Sequence, residues 1–232
     1  MQRSGCALSA AAFSHVVCAP HADPASAIRE HLVAVMGPAS AATLVSSARR
    51  DDERLCTVRR MTIRELDRAA DRQAVEAIDT SFETATVFDV VTTNRRLELV
   101  ERALATPLVK RYSISEVFAG WARWDVGWVA DEGGVQGFAT VEYEPWHGRL
   151  ILWFLYIAPE WRRRGVGRAL LERVEVYARE VGATHVWLET SNVNVPGIAA
   201  YERLGYSLCG ADRLYYGAYM PGETAIYLAK ML

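Results

Sequence analysis

Cysteine is scarce in this chain, and no two of its four cysteines (Cys6, Cys18, Cys56 and Cys209) stand at a metal-ligand spacing. That argues against a disulfide framework and a zinc site, and it suits a reducing compartment such as the cytoplasm. An excess of charge is also missing. The formal net charge is −2, far from the basic surface of a general nucleic-acid binder. No apolar run approaches the ~18 residues a membrane-crossing helix needs. The glycines form no Gly-x-Gly-x-x-Gly dinucleotide fingerprint, and no Gly-Lys-Ser/Thr follows them. Residues 57–232 contain neither repeats nor low-complexity tracts. The expected partner is therefore a small molecule, with no nucleic acid and no membrane; a homodimer is compatible with all of this.

What is present is one sizeable domain's worth of sequence, 232 residues of which 51% are hydrophobic. Residues 1–56 are rich in Ala, Ser and Arg and read as a weakly ordered N-terminal extension, or as sequence upstream of a start near Met61. A weak secretory leader can be traced from Arg3 through Ala7 to Ala19, but His15 interrupts it. Residues 28–35 and 41–48 have the composition of short helices. The domain proper is expected at 57–232.

Within it, Thr57 to Ile63 alternates as a strand, and Asp67 to Phe82 carries alanines at helical spacing. Residues 94–105 are ambiguous by period. Trp121 to Ala130 and Gly137 to Glu144 read as strands around the turn Asp131-Glu132-Gly133-Gly134. Leu150 to Ile157 is apolar throughout, as a strand covered on both faces would be. A helix from Gly165 places Val166, Leu170, Val174, Tyr177 and Val181 on one stripe, with Gly182 as its C-terminal cap. A buried strand at 184–190, a short helix at 195–203, and closing strands at 206–209 and 224–229 complete an α/β (α+β) chain.

The most informative stretch is Arg162-Arg163-Arg164-Gly165-Val166-Gly167-Arg168. It joins the apolar strand to the long helix, so a basic, glycine-bearing turn becomes a helix start. Unpaired N–H groups and the helix dipole converge there, and arginines reinforce them. That makes a pyrophosphate cradle. Arg162-x-x-Gly165-x-Gly167 resembles the acyl-CoA pyrophosphate loop of the GNAT acetyltransferase superfamily. A second signature follows in order: Asn194, then Tyr201-Glu202-x-x-Gly205-Tyr206, with Asn194 seven residues before Tyr201. The likeness narrows to streptothricin (nourseothricin) acetyltransferases over roughly 60–230. Its carriers are Asp79-x-Ser81-Phe82 with Thr86-Val87-Phe88, Pro107-Leu108-x-Lys110, Tyr143-x-x-Trp146, Glu189-x-x-Asn192-Val193-Asn194, Leu208-Cys209-Gly210, and Glu223-Thr224-Ala225.

The resemblance implies the GNAT fold: a mixed, mostly antiparallel central sheet with a splayed pair of strands, flanked by helices. It implies acetyl-CoA as co-substrate, direct transfer to a primary amine of a small cationic molecule, and no metal. It assigns the backbone of Leu155, Tyr156 and Ile157 to the thioester and pantetheine arm, Arg162 to Arg168 to the pyrophosphate, and Asn194 to the pantetheine. It assigns Tyr201 as general acid; a phenol with a pKa near ~10 can assist a thiol leaving near ~8.5. Core packing for Tyr201 and helix capping for Asn194 are the plainer readings.

The general base is less legible. The family's central-strand acids are replaced by Trp153, Phe154 and Tyr156. Glu189 matches the family and is the first candidate; Glu142 is the second, with Glu144 two residues on and so on the same face. Glu144, Trp146 and Trp153 are candidates for holding a cationic acceptor, by charge and by ring face. A solvated strand face and ordinary core packing compete with those roles. The acceptor stays open between a streptothricin-type antibiotic and another amine (lysine, a polyamine or a protein lysine). A non-catalytic acyl-CoA-binding module is the rival class.

Overall fold

The computed structural model describes residues 61–232. The extension at 1–56, its two expected helices and residues 57–60 of the first expected strand lie outside the described residues. Among the described residues nine strands, labelled in chain order, form two sheets. Seven of them make one sheet in the order β1-β4-β5-β6-β7-β9-β8: β1 (Thr62–Glu65), β4 (Val126–Asp131), β5 (Val135–Glu144), β6 (Arg149–Ile157), β7 (His185–Ser191), β9 (Ala225–Met231) and β8 (Ser207–Asp212). Every neighbouring pair is antiparallel except β6 with β7.

That one parallel pair opens the sheet. β6 and β7 are in register only from Arg149↔His185 to Leu152↔Leu188. Beyond Leu152 the strands separate, and β6 runs on to Ile157 beside β5 alone. The expectation that both faces of this strand are covered is not met. Leu150 and Leu152 are buried, while Trp153 to Ile157 are only partly so, because they border the gap. A bulge lies in the same place: Thr140 pairs with Phe154 and Val141 with Leu152, so Trp153 is an extra residue in β6.

The two faces of the sheet have different covers. Helices α2 (Val166–Glu180) and α3 (Val195–Arg203) lie on one. There Val166, Leu170, Leu171, Val174 and Ile198 pack with Leu150, Leu152, Val186 and Leu188. On the other face, Val75 and Ile78 of the α1 region and Val117 of a 3₁₀ turn (Ile114–Phe118) pack with Phe138, Trp124 and Val129. α1 itself is only Arg72–Glu76. The helix expected over 67–82 is curtailed by aspartates that bond the backbone locally. Asp67 accepts from the N–H groups of Ala69 and Ala70, and Asp79 from that of Ser81, so the chain turns there instead.

Caps set the other helix limits. α2 ends in a Schellman motif: Gly182 N–H bonds Arg179 C=O and Ala183 N–H bonds Ala178 C=O. Asn194 caps α3 by accepting from Gly197 N–H at 3.1 Å. Gly197 is required for this, since a Cβ there would come within 2.3 Å of the Asn194 side chain.

The second sheet is a long hairpin, β2 (Phe82–Thr93) with β3 (Arg96–Lys110). One buried side chain ties it to the main sheet. Asn192 donates to Phe88 C=O at 2.7 Å and accepts from Thr224 N–H at 2.8 Å; its own backbone bonds the same two residues. Asn192→Ala leaves two buried backbone groups unpaired, at about 1–3 kcal/mol each. Urea unfolding should therefore show a loss of about 2–4 kcal/mol. A loss below about 0.5 kcal/mol would mean that Asn192 does not hold the hairpin.

Candidate active site

The phosphate loop has the form its sequence demands. Gly165 stands just before α2 at φ 87°, a left-handed conformation costly for any side chain. The N–H groups of Val166, Gly167 and Arg168 precede the bond from Ala169 N–H to Gly165 C=O. A Cβ on Gly165 would meet nothing within 4 Å, and one on Gly167 only Ile157 at 3.9 Å. Packing does not explain Gly167. Arg163, Arg164 and Arg168 are exposed around this start, Arg164 over the Trp161 ring at 5.2 Å. Arg162 is turned inward. Its guanidinium donates to the carbonyls of Ile157, Ser81 and Asp79 at 3.0, 2.6 and 3.1 Å. It positions the loop, so its side chain is committed elsewhere than to a phosphate.

Tyr201, from α3, packs edge-on against Tyr206 with ring centres 5.7 Å apart, on the α2–α3 face of the sheet. Burial pushes its phenol up, and the charge of Glu189 adds to the effect. A phenol so placed stays protonated at neutral pH, the form a general acid needs. Asn194 caps α3, and its amide also donates to Thr190 Oγ at 3.0 Å.

Glu189 alternates on β7 with Val186 and Leu188, which face α2; it therefore faces the other way. It borders the gap from the far side, close enough for its charge to reach Tyr201. Burial raises its carboxyl above the ordinary range; Tyr216, which donates a hydrogen bond to it, opposes the rise, and Glu223 adds to it. On this same face the bulge in β6 turns Trp153, Phe154 and Tyr156 together: all three border the cluster under the 3₁₀ turn. Tyr112 closes on Tyr156 with ring centres 6.4 Å apart. The carboxylates absent from β6 are supplied by other elements. Glu223 comes from the turn before β9 and is bonded by Lys110 and by Ser191 Oγ. Glu116 comes from the 3₁₀ turn and accepts from Tyr219 at 2.5 Å.

Sequence reading missed this wall's cover. The segment 213–224, between β8 and β9, brings Tyr216, Tyr219 and Glu223 over the gap. Its only signal is three tyrosines in five residues, Tyr215, Tyr216 and Tyr219, of which the first two do not alternate as a strand would.

Three other candidates stand differently. Glu142 shares the far face, but its carboxylate accepts from Trp153 Nε1 at 2.9 Å and meets Arg123 at 3.6 Å. Glu144 is bonded by Arg149 and His147, the latter holding its carboxyl low. Trp146 is 79% exposed in the turn beyond. Glu144 ends β5 opposite Arg149, the first residue of β6, and Trp146 lies in the turn between them; Arg149 is eight residues or about 26 Å from Ile157 along an extended strand. The structure does not bring Glu144 and Trp146 to the gap.

Fold and loop define an acyltransferase scaffold, and the comparisons agree: residues 97–206 match the acetyltransferase (GNAT) family. The chain belongs to that family. It is 40% identical over 172 residues to the streptothricin acetyltransferase of Streptomyces lavendulae, covering 70% of this chain and 90% of that one. The crystal structure of a nourseothricin acetyltransferase superimposes with a TM-score of 0.65 at 38% identity, over 74% of this chain and 98% of the other. A Bacillus anthracis str. Ames protein in complex with acetyl coenzyme A has the same fold, with a TM-score of 0.64 at 24% identity, over 75% and 99%.

Proposed function

We propose that the protein transfers the acetyl group of acetyl-CoA to a primary amine of a small cationic antibiotic of the streptothricin type, and that it does so in the cytoplasm, where acetyl-CoA is made. The work is assigned to the domain at 57–232. The observation that carries this reading is the placement of Glu189 and Tyr201 on opposite sides of the gap between β6 and β7. The phosphate cradle of α2 adjoins one side, and a chamber of carboxylates and aromatic rings the other.

The roles follow from the chemistry. An amine attacks only when neutral, yet its ordinary pKa is near ~10.4. Glu189 takes the ammonium proton; its raised carboxyl is a stronger base than a solvated one. The backbone of β6 from Trp153 to Ile157, freed from β7 and bulged, supplies N–H groups to the thioester carbonyl. As the C–N bond forms and the C–S bond breaks, the nitrogen gives up its second proton to solvent, and Tyr201 passes its own proton to the sulfur and recovers one from solvent, so one net proton leaves by way of Glu189. Gly165, Val166, Gly167 and Arg168 bind pyrophosphate through the backbone, with Arg163, Arg164 and Arg168 supplying charge.

A thiol-release assay with acetyl-CoA and streptothricin tests this directly. The expected result is one thiol released per antibiotic, with the acetyl group on a β-lysine amine. Expression should also protect a streptothricin-sensitive bacterium. Thiol release with other amines but none with streptothricin would overturn the antibiotic assignment. No release with any amine, despite acetyl-CoA binding, would favour the binding module.

A further inference from the structure

Tyr216 reaches Glu189 from a part of the chain that belongs to neither strand of the gap. It stands in the segment 213–224, which leaves β8 and returns at β9. Asp212, the last residue of β8, accepts from Leu214 N–H at 2.7 Å and fixes the entry. Two overlapping turns follow. Gly217 N–H bonds Leu214 C=O at 3.1 Å, and Tyr219 N–H bonds Tyr216 C=O at 2.9 Å. The far end is held by Glu223, bonded by Lys110 and by Ser191 Oγ. Tyr216 belongs to both turns, so local bonds hold its backbone, and its ring rests edge-on against Tyr215 with centres 5.3 Å apart. Its phenol is thereby aimed from a braced support.

The target is one oxygen of the proposed base. Oε1 of Glu189 accepts from the Tyr216 hydroxyl, while Oε2 has no donor among the described residues. The charge of Glu189 also reaches the phenols of Tyr112, Tyr156 of β6, Tyr201 of α3, Tyr215 of the segment and Tyr227 of β9. None of these five donates to it, and Glu223 opposes its charge. Tyr216 alone among the described groups therefore both favours the ionised form and decides which oxygen is bare. A partly buried carboxyl without such a donor would keep its proton to higher pH and would turn freely about its last bond. Burial, with the charge of Glu189, pushes the Tyr216 phenol itself upward, so it stays a donor throughout the working range.

We infer that Tyr216 is a positioning residue for the acetyl transfer: it anchors one oxygen of Glu189, so that the other meets the ammonium proton in a single orientation. This rests on Glu189 as the proposed base. It adds that the base is completed by the segment between β8 and β9, an element outside both β7 and the phosphate loop. Tyr216 acts through Glu189 and gives up no proton of its own.

The test reads Glu189 directly, by NMR of the carboxyl carbons in protein with labelled glutamate. The Glu189 signal is assigned by its loss in Glu189→Gln. Tyr216→Phe removes the hydroxyl and keeps the ring. The Glu189 titration should then move to higher pH by at least about one pH unit, the size of one hydrogen bond to a charged group. The rising limb of the pH–rate profile should move with it. On the plateau kcat should still fall about tenfold, the mark of lost orientation, with acetyl-CoA affinity unchanged. Fluorotyrosine in place of Tyr216 makes the phenol a stronger donor and should move the titration the other way; it reads the bond even if the phenylalanine variant does not fold. Tyr219→Phe is the control. It removes another phenol–carboxylate bond of the same segment, to Glu116, from a ring that is 71% exposed, and should leave the Glu189 titration in place. A titration unmoved by Tyr216→Phe, moved equally by Tyr219→Phe, or moved upward by fluorotyrosine would overturn the inference. A titration that moves as expected while the rate limb stays put would instead count against Glu189 as the base.

Discussion

Glu189→Gln should lower kcat by about 10²–10³-fold and leave acetyl-CoA affinity nearly unchanged, because it removes a proton acceptor and little volume. The pH profile separates this from a general loss of fit. Burial, with help from Glu223, puts the Glu189 carboxyl above its ordinary value. The wild-type rate should therefore climb with pH through an apparent pKa above the carboxylate range, and the glutamine variant should lack that limb. Stability gives a second reading with a fixed sign. A carboxyl raised by folding binds its proton more tightly in the native state, so its contribution is present below the unfolded pKa and is lost as pH rises through the folded one. Wild type should lose stability relative to the variant across that window. A variant with the same acid limb as wild type would hand the proton to solvent or to Glu142.

The second large effect is expected at the phosphate loop. In Gly167→Leu the new Cβ meets only Ile157, and at ordinary contact distance, so the fold should tolerate it. The new side chain fills the space that the acetyl-CoA pyrophosphate is proposed to occupy. Affinity should fall by at least about 10²-fold, as for a site that depends on close backbone approach. Thermal unfolding reports it simply. Wild type at about 100 times its dissociation constant should gain roughly 2.7 kcal/mol from acetyl-CoA, and the variant almost none. A full gain in the variant would move the pyrophosphate off this loop.

What the sequence revealed and what it hid divide along a physical line. The limits of α2 and α3 were legible because local caps set them: Gly165, Gly182 and Asn194 act within a few residues of themselves. The order of strands from β4 to β7 followed from alternation and turn chemistry. The helix expected over 67–82 failed because alanine spacing was weighed without the turns that Asp67 and Asp79 make. β2 was missed as a strand, since its apolar and polar residues do not alternate strictly and its last three residues are exposed. Of the candidate site, Tyr201 and Glu189 were named from family spacing. The wall around them could not, because Lys110 and Glu223 stand 113 residues apart and Glu116 and Tyr219 103 apart. No local pattern marks such pairs. Arg162 matched its motif yet proved to be tied to carbonyls, a use that spacing does not reveal.

The extra residue at Trp153 acts as a shift of reading frame in space. On its N-terminal side, Leu150 and Leu152 face α2; on its C-terminal side Leu155 and Ile157 do so as well, although the count between Leu152 and Leu155 is odd. Were Trp153 to pair with Thr140 instead of standing out as the extra residue, every later residue of β6 would change face. Tyr156 would enter the aliphatic layer beneath α2, and Leu155 and Ile157 would take its place. One residue left out of the pairing decides whether this sheet offers an amine rings or aliphatic side chains.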